Sequence, residues 1–178
     1  MPCNNSRYYA EISAGYNRLH ADEQRAKAEL ILENLRVKGL LLDVGAGTGV
    51  STSVFEGKAE CVALDPCIGL LRQYNGLRVV GIAEQLPFKS GCFDAVVSVT
   101  ALHHCGLSAA KKEIKRVAKK NAPVGISFFK RAKNFALAKR LFAEFDEIDS
   151  EKDTVFVFPK KRGDKTCQKS RQGCRAFK

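Results

Sequence analysis

The sequence predicts an α/β protein: a doubly wound, mostly parallel, seven-stranded Rossmann-like sheet with an antiparallel last strand. Three observations lead to this prediction. Short apolar runs alternate with helical patterns along the chain, as in parallel sheets that are covered on both faces. A turn with three glycines follows the first apolar run, and further polar segments follow the later ones. Finally, the last apolar run comes directly after an acidic run, which favours an antiparallel pair.

Two helices are predicted before the first strand, within residues 7–37, as a helical cap. Tyr8, Tyr9, Ile12, Tyr16 and Leu19 repeat at helical spacing in the first of them. Asp22 is predicted to cap the second helix, with Leu30, Ile31 and Leu35 on its inner face.

The remaining elements follow from the same periodicities. Strands are predicted at residues 40–44, 60–65, 77–82, 93–99 and 124–129, with a final antiparallel pair within residues 144–158. Helices are predicted at 50–55, 66–74 and 133–144, and a basic helix follows Ser108 as its cap. Thr48 or Thr52 is the predicted cap of the helix after the glycine turn.

The chain of 178 residues predicts one domain over residues 1–158, followed by a basic tail at 159–178. The net charge is +11, and the tail holds eight basic residues and one acid, so it contributes +7 and leaves +4 elsewhere. Such a segment favours polyanions such as RNA. A solvated terminus without a partner is the alternative interpretation.

Composition predicts a cytoplasmic protein. No stretch approaches the roughly 18 apolar residues of a membrane span, and the first residues do not resemble a signal peptide. Seven cysteines at irregular spacing indicate reduced thiols. Cys167 and Cys174 alone make an incomplete zinc site, so no metal site is predicted.

The glycine turn predicts a nucleotide-type site. Gly45-x-Gly47-x-Gly49 lacks the spacing of a dinucleotide-binding turn, and no Lys or Arg stands in it to meet a pyrophosphate. A nucleoside without phosphates is therefore the expected ligand. Asp65, at the end of the second predicted strand, suits two ribose hydroxyls. The segments 83–84 and 99–104 also follow strands, so all four are expected in one crevice at the carboxyl edge of the sheet.

The chain resembles the class I S-adenosylmethionine-dependent methyltransferases, especially the small type 11 group. The matching segments are LDVGAGTG at 42–49, LDP at 64–66, AEQLPF at 83–88, FDAVVS at 93–98 and ALHH at 101–104. The resemblance covers roughly residues 40–130, in the order and spacing of the group.

The resemblance implies S-adenosyl-L-methionine as cofactor and a role for each matching residue. Gly45, Ala46, Gly47 and Gly49 would lie against the methionine and ribose parts, and Asp43 would fix the amino group. Asp65, followed by Pro66, would bind the ribose hydroxyls, and Cys67 or Ile68 would pack on the adenine. Ala83 and Glu84 would lie near the adenine edge and Val99 near the sulfonium. Tyr16, with Tyr8 and Tyr9, resembles the aromatic N-terminal helices that close over the donor in this group; plain helix packing is the alternative.

One position departs from the group. Ile82 stands where an Asp often precedes the Ala-Glu pair and contacts the adenine amino group. Either Glu84 or a backbone carbonyl is expected to replace it, or donor affinity is modest.

His104 or His103 is the candidate catalytic base, because both follow the fourth strand, where an acceptor approaches. A neutral histidine can take a proton there if the acceptor atom must lose one. A His-His pair is also common at this place in the type 11 group whatever the substrate, so a purely structural role is the alternative.

The predicted function is methylation of RNA, either tRNA or rRNA. Basic segments at 111–120 and 130–139 and the tail favour it. The alternatives are methylation of a small molecule such as a quinone, and an RNA-binding domain with a non-catalytic cofactor fold. The Asn/Asp-Pro-Pro-aromatic motif of adenine-amine and glutamine methyltransferases is absent after the fourth strand. An activating protein subunit is a further expected partner.

Overall fold

The computed structural model describes residues 21–159, and within them seven strands alternate with helices. Helix α1 covers residues 21–34. The other elements are β1 (Leu40–Val44), α2 (Thr52–Phe55), β2 (Glu60–Asp65), α3 (Ile68–Leu71), β3 (Leu77–Val80), β4 (Ala95–Val99), a 3-10 helix (Leu102–His104), α4 (Leu107–Val117), β5 (Val124–Phe129), α5 (Phe135–Leu141), β6 (Asp146–Asp149) and β7 (Asp153–Phe158).

The strands form one sheet in the order β3-β2-β1-β4-β5-β7-β6. All neighbours pair in parallel except β7, which is antiparallel to both β5 and β6. Strand order reverses between β1 and β4, and ligands of open α/β sheets bind beyond the carboxyl ends of the strands at such a switch point. The predicted fold class is confirmed.

Alternate residues of the central strands enter two cores, one on each face of the sheet. On one face, Val96 and Ile126 pack with α4 and α5 in an aromatic-rich core. On the other face, Val97 packs with the buried side of α1, where Ile31 is fully buried. Helix α1 approaches β5 closely, because a Cβ on Gly125 would stand 2.4 Å from the Ile31 side chain. Burial on both faces explains the continuous apolar runs of these strands.

Several predicted boundaries were wrong, mostly at helix ends. Helix α4 begins at Leu107 after Gly106, so Ser108 lies inside it and is not its cap. Ser51, rather than Thr48 or Thr52, precedes α2, and no side chain caps that helix. Residue 21 is already helical, so Asp22 is not the N-cap of α1. The helices predicted at 66–74 and 133–144 are confined to α3 and α5.

Two further points concern the limits of the described chain. The predicted helix with Tyr8, Tyr9 and Tyr16, and the basic tail beyond residue 159, lie outside the described residues. Within residues 21–159, none of the helices has the length and hydropathy that a membrane span requires.

Candidate functional site at the carboxyl edge of the sheet

The glycine turn after β1 has a left-handed backbone at all three glycines, with φ of 79° at Gly45, 57° at Gly47 and 81° at Gly49. Each glycine faces a different environment. A Cβ on Gly45 would stand 2.2 Å from the Ala101 Cβ, and one on Gly49 would stand 2.4 Å from the Tyr74 ring. In the part of the chain that the structure describes, no atom lies within 4 Å of the Cβ position at Gly47. Two glycines therefore allow the turn to pack against the protein, and the third leaves open space over it.

Asp43 lies beneath this turn and is completely buried. Its Oδ2 accepts hydrogen bonds from the Ser51 hydroxyl at 2.9 Å and the Thr52 hydroxyl at 2.7 Å. Its Oδ1 has no hydrogen-bond partner among residues 21–159. Burial raises the pKa of Asp43 to about 6, and the two hydroxyl bonds oppose that rise. Thr52 thus binds Asp43 rather than capping α2.

Asp65 ends β2 with its side chain turned toward the glycine turn. Its Oδ2 accepts from the Gly47 N–H at 2.9 Å and its Oδ1 accepts from the Cys67 N–H at 2.8 Å. Burial raises the pKa of this carboxyl and the two backbone bonds lower it, with the rise prevailing. Each oxygen retains a second lone pair. Asp65 therefore ties the turn after β1 to the turn after β2 and can still accept hydroxyl hydrogens.

Apolar side chains follow β2 and β3 at the same edge. Ile68, the first residue of α3, is 48% exposed and Ile82 is 43% exposed, whereas Cys67 is buried. Glu84, one of the groups expected to replace the missing acid at position 82, accepts through its Oε1 from the Gly106 N–H at 2.7 Å. Glu84 joins the loop after β3 to the start of α4.

The segment after β4 forms the next part of this edge of the sheet. Val99 is buried at the end of that strand, and the 3-10 helix then carries the two histidines, whose ring centroids are 3.9 Å apart. His103 is half-buried beside Phe128 and Phe129, and burial together with the charge of His104 lowers its pKa to about 4. His104 is exposed as a whole residue, but partial burial of its ring also lowers its pKa. Both imidazoles are therefore neutral at pH 7.

The structure places the predicted site residues at the ends of β1, β2 and β4 and in the loop after β3, as the sequence led us to expect. Tyr16 lies outside the described residues. The sequence analysis missed Tyr74, Lys27 and Asp153. Tyr74 packs on Gly49 and donates a hydrogen bond to Glu56 at 2.8 Å. Lys27 of α1 and Asp153, the first residue of β7, form a buried ion pair, with Lys27 Nζ 2.7 Å from Asp153 Oδ2.

Comparison with known proteins identifies the kind of domain that carries this site. Residues 42–125 match the family model described as a methyltransferase domain. An uncharacterised protein of Methanocaldococcus jannaschii is 31% identical over 119 residues, which are 63% of this chain and 46% of that protein. A demethylmenaquinone methyltransferase of Corynebacterium urealyticum is 33% identical over 66% of this chain and 51% of its own length.

A putative methyltransferase of Haloferax volcanii, solved in complex with a methyltransferase activator, has a similar fold. The two chains superpose with a TM-score of 0.68 at 15% identity, over 81% of this chain and 77% of the other. The chain spans about half the length of the curated relatives it matches.

Fold and motif together agree on one class: residues 42–125 match a methyltransferase-domain model, and the sheet is similar to that of class I S-adenosylmethionine-dependent methyltransferases. Within that class, the family model that residues 42–125 match is that of the type 11 group. The family that the sequence resembles is thus confirmed.

The residues at the edge fit the cofactor that this class uses. Within the described residues, Oδ1 of Asp43 is an acceptor without a donor, and buried groups of this kind are uncommon. The open face of Gly47 is a cradle that a side chain would fill. An ammonium group and a flat nucleoside supply what these two features lack.

Proposed function

We propose that the protein is an S-adenosylmethionine-dependent methyltransferase that methylates RNA, tRNA or rRNA, in the cytoplasm. The observation that carries the donor site is the open, left-handed Gly47 between two carboxylates, Asp43 and Asp65. We further propose that residues 1–158 form one methyltransferase domain, with 1–37 as a helical cap, and that 159–178 are a basic tail.

In this proposal the edge of the sheet binds the donor along its length. Asp43 Oδ1 accepts from the ammonium group, and Gly45, Ala46, Gly47 and Gly49 leave room for the methionine and ribose parts. Asp65 accepts from the ribose hydroxyls through its remaining lone pairs. Ile68 and Ile82, both exposed, would pack on the adenine, so that apolar contact would replace the acid that the group often has at position 82. Ala83 lies beside the adenine edge.

The donor, when bound, supplies a methyl group that is already activated as part of a sulfonium. The main task of the protein is therefore alignment, with the acceptor atom held near 3 Å from the methyl carbon. Val99 closes the pocket behind the transferring group. A neutral His104 can accept a proton from an acceptor hydroxyl or amine, because its lowered pKa keeps the ring unprotonated at pH 7.

Unpaired cations favour RNA as the acceptor. Six basic side chains in α4, in α5 and in the residues next to these helices (the α4 and α5 segments) have no acidic partner within ion-pair distance among residues 21–159. They are Lys112, Lys115, Lys120, Arg131, Lys133 and Arg140. All six residues are exposed. Arg131 and Lys133 lie between β5 and α5, at the same edge as the histidines, where Asn134 contacts the His103 carbonyl oxygen at 3.4 Å. Phosphates of a polynucleotide would meet them on approach.

Small-molecule methylation is the second candidate. A relative named demethylmenaquinone methyltransferase favours it. An activating subunit is also part of the proposal, since a structural neighbour was solved with an activator. Incubating the protein with labelled donor and separate RNA, protein and metabolite fractions discriminates the candidates: we expect label in RNA, and label confined to metabolites would contradict the RNA proposal.

Donor binding is tested by calorimetry with S-adenosylhomocysteine. We expect binding by the wild type and a loss of at least about tenfold in Asp65→Ala, since that variant removes an acceptor of charge-assisted hydrogen bonds. Absence of heat with the wild type would favour an RNA-binding domain with a non-catalytic cofactor fold. Lys58→Ala, at an exposed position at the opposite edge of the sheet, is the control that should bind as the wild type does.

A further inference from the structure

The buried ion pair of Lys27 and Asp153, which links α1 to the start of β7, has no part in the site as described above. Lys27 is 8% exposed and Asp153 is fully buried. Lys27 Nζ lies 2.7 Å from Asp153 Oδ2 and 2.8 Å from Glu23 Oε1, and it donates to the Thr100 hydroxyl at 3.2 Å. Among the described residues, the contact with Thr100 is a hydrogen bond, whereas the two carboxylate contacts are ion pairs and Asp153 Oδ2 accepts no hydrogen bond. The pair joins α1 to the start of β7 and to the end of β4.

Such a pair is weak evidence for stability. Burying two charges costs solvation, and replacing a buried pair by neutral residues is often harmless to the fold. Its position therefore requires another explanation.

Thr100 provides that explanation, because its backbone is left-handed, with φ of 52°. A β-branched residue adopts this conformation at a cost and holds it only where its surroundings impose it. The surroundings here are polar and specific. The Thr100 N–H donates to the Ser127 carbonyl at 3.0 Å, and its hydroxyl lies 3.2 Å from Lys27 Nζ and 3.3 Å from Ser127 Oγ. Ser127 in turn contacts Asp153 Oδ1 at 3.4 Å.

The conformation of Thr100 determines the path of the residues after it. The reversal at Thr100 brings Ala101 against the glycine turn, where a Cβ on Gly45 would stand only 2.2 Å from the Ala101 Cβ. The 3-10 helix with both histidines begins at the next residue. A single residue therefore connects the network to the donor turn on one side and to the acceptor side on the other.

We propose that Lys27 and Asp153 are positioning residues that hold Thr100 left-handed and thereby fix both the wall of the donor pocket at Ala101 and the start of the histidine-bearing helix. The role in donor binding rests on the proposed methyltransferase function. Through Lys27, helix α1 helps to position the residues at the carboxyl edge of the sheet, in addition to covering one face of the sheet.

The test uses a charge-neutral double variant, Lys27→Met with Asp153→Asn, in the full chain. It removes the pair without leaving a lone buried charge, so we expect a melting temperature within about 5 °C of the wild type. Hydrogen exchange of the Thr100 and His104 amides, measured without ligand, should accelerate about tenfold. Affinity for S-adenosylhomocysteine should fall about tenfold as well. Exchange and affinity both equal to the wild type would overturn the proposal.

A second pair of variants covers the case in which the double variant does not fold. Thr100→Ser keeps the hydroxyl and should retain wild-type exchange at His104. Thr100→Val has the same shape without the hydroxyl and should accelerate that exchange. Equal behaviour of the two variants would contradict a role for the contact with Lys27.

The matched control is Lys111→Met with Glu144→Gln, which removes an ion pair of the same 2.7 Å length between α4 and the segment after α5. It should leave both measurements unchanged. If the wild type bound no S-adenosylhomocysteine, the methyltransferase proposal would fail, whereas accelerated exchange at Thr100 and His104 in the double variant would still support positioning.

Discussion

Asp43 combines complete burial with one carboxylate oxygen that has no hydrogen-bond partner within residues 21–159. Two hydroxyls stabilise its other oxygen, yet burial still raises its pKa to about 6. A residue chosen for stability alone would not be an acid here. An acid is useful under the Gly45–Gly49 turn if a cation binds above it, and this is the trade-off that active sites commonly make.

The raised pKa makes stability depend on pH in a defined direction. The folded state binds the Asp43 proton more tightly than the unfolded state, whose carboxyl has the ordinary pKa of 3.8. Stability is therefore highest below about pH 4 for this group and falls by about 3 kcal/mol as pH rises to about 6. We predict that Asp43→Asn removes this decline. Chemical denaturation at pH 4 and pH 7 measures it.

The same variant should lose affinity for S-adenosylhomocysteine, because an amide cannot pair with an ammonium group as a carboxylate does. The amide oxygen introduced by Asp43→Asn would still accept from Ser51 and Thr52. A variant that is no more stable at pH 7 and binds the ligand normally would contradict both the pKa argument and the site assignment.

His104 allows a kinetic prediction at the residue scale. Because burial lowers its pKa, the transfer rate should rise with pH through an apparent pKa below 6.5 and stay level above it. His104→Ala should lower kcat about a hundredfold and abolish this acid limb, while leaving S-adenosylhomocysteine affinity unchanged. Single-turnover assays across pH 4.5–8 provide the measurement. The same loss in His103→Ala with a normal His104→Ala would transfer the role to His103.

Residues carrying a recognisable motif were predictable, and residues defined by burial were not. The sequence was sufficient to locate Asp65 and the three glycines because a motif and a strand end coincide there. Lys27 is spaced by four from Ile31, which is fully buried on the inner face of α1, and this spacing was the available indication that a lysine is buried. Asp153 belongs to an acidic run, so its burial could be found only from the packing of β7 against β5.

At the scale of elements, two glycines of the same five-residue turn have opposite environments. Gly49 lies against Tyr74, whereas Gly47 faces open space among the described residues, which the proposed donor site requires. Helix ends were the least predictable elements, and the reason is physical. Neither α2 nor α4 has a side-chain cap, so a search for Ser or Thr at the helix start chose residues that serve elsewhere, such as Thr52 on Asp43.

The two glycines should therefore respond differently to the same substitution. Gly47→Ala adds a methyl group to open space and costs about 1 kcal/mol for its left-handed backbone, but it should abolish detectable binding of S-adenosylhomocysteine. Gly49→Ala adds the clash with the Tyr74 ring to the same backbone cost and should destabilise the protein more. Thermal melts and calorimetry on both variants separate the effects. Equal stability losses, or normal ligand binding by Gly47→Ala, would contradict the proposed donor position.

For the whole molecule, the distribution of charge is the property that bears on which kind of substrate would accept the methyl group. Ion pairs neutralise several cations of the described chain, including Lys111 with Glu144 and Lys119 with Asp94. Six cations of the α4 and α5 segments remain unpaired within residues 21–159, and the tail adds a net +7 outside them. Phosphate binding by such cations is independent of sequence and sensitive to salt.

Removing the tail after Pro159 lowers the net charge from +11 to +4. If the tail contacts RNA, the shortened chain should bind total tRNA more weakly, and the slope of log affinity against log salt should fall in magnitude by up to about 5. S-adenosylhomocysteine affinity should not change, because no residue of the proposed donor site, from Tyr16 to Val99, belongs to the tail. Filter binding between 50 and 300 mM salt, about the range in which such slopes are resolved, makes the measurement.

Replacing Lys112, Lys115 and Lys120 by Ala in the full chain should lower the magnitude of the same salt slope by about 2 to 3. Unchanged slopes in both variants would show that RNA does not use these cations, and a small-molecule acceptor would then be favoured.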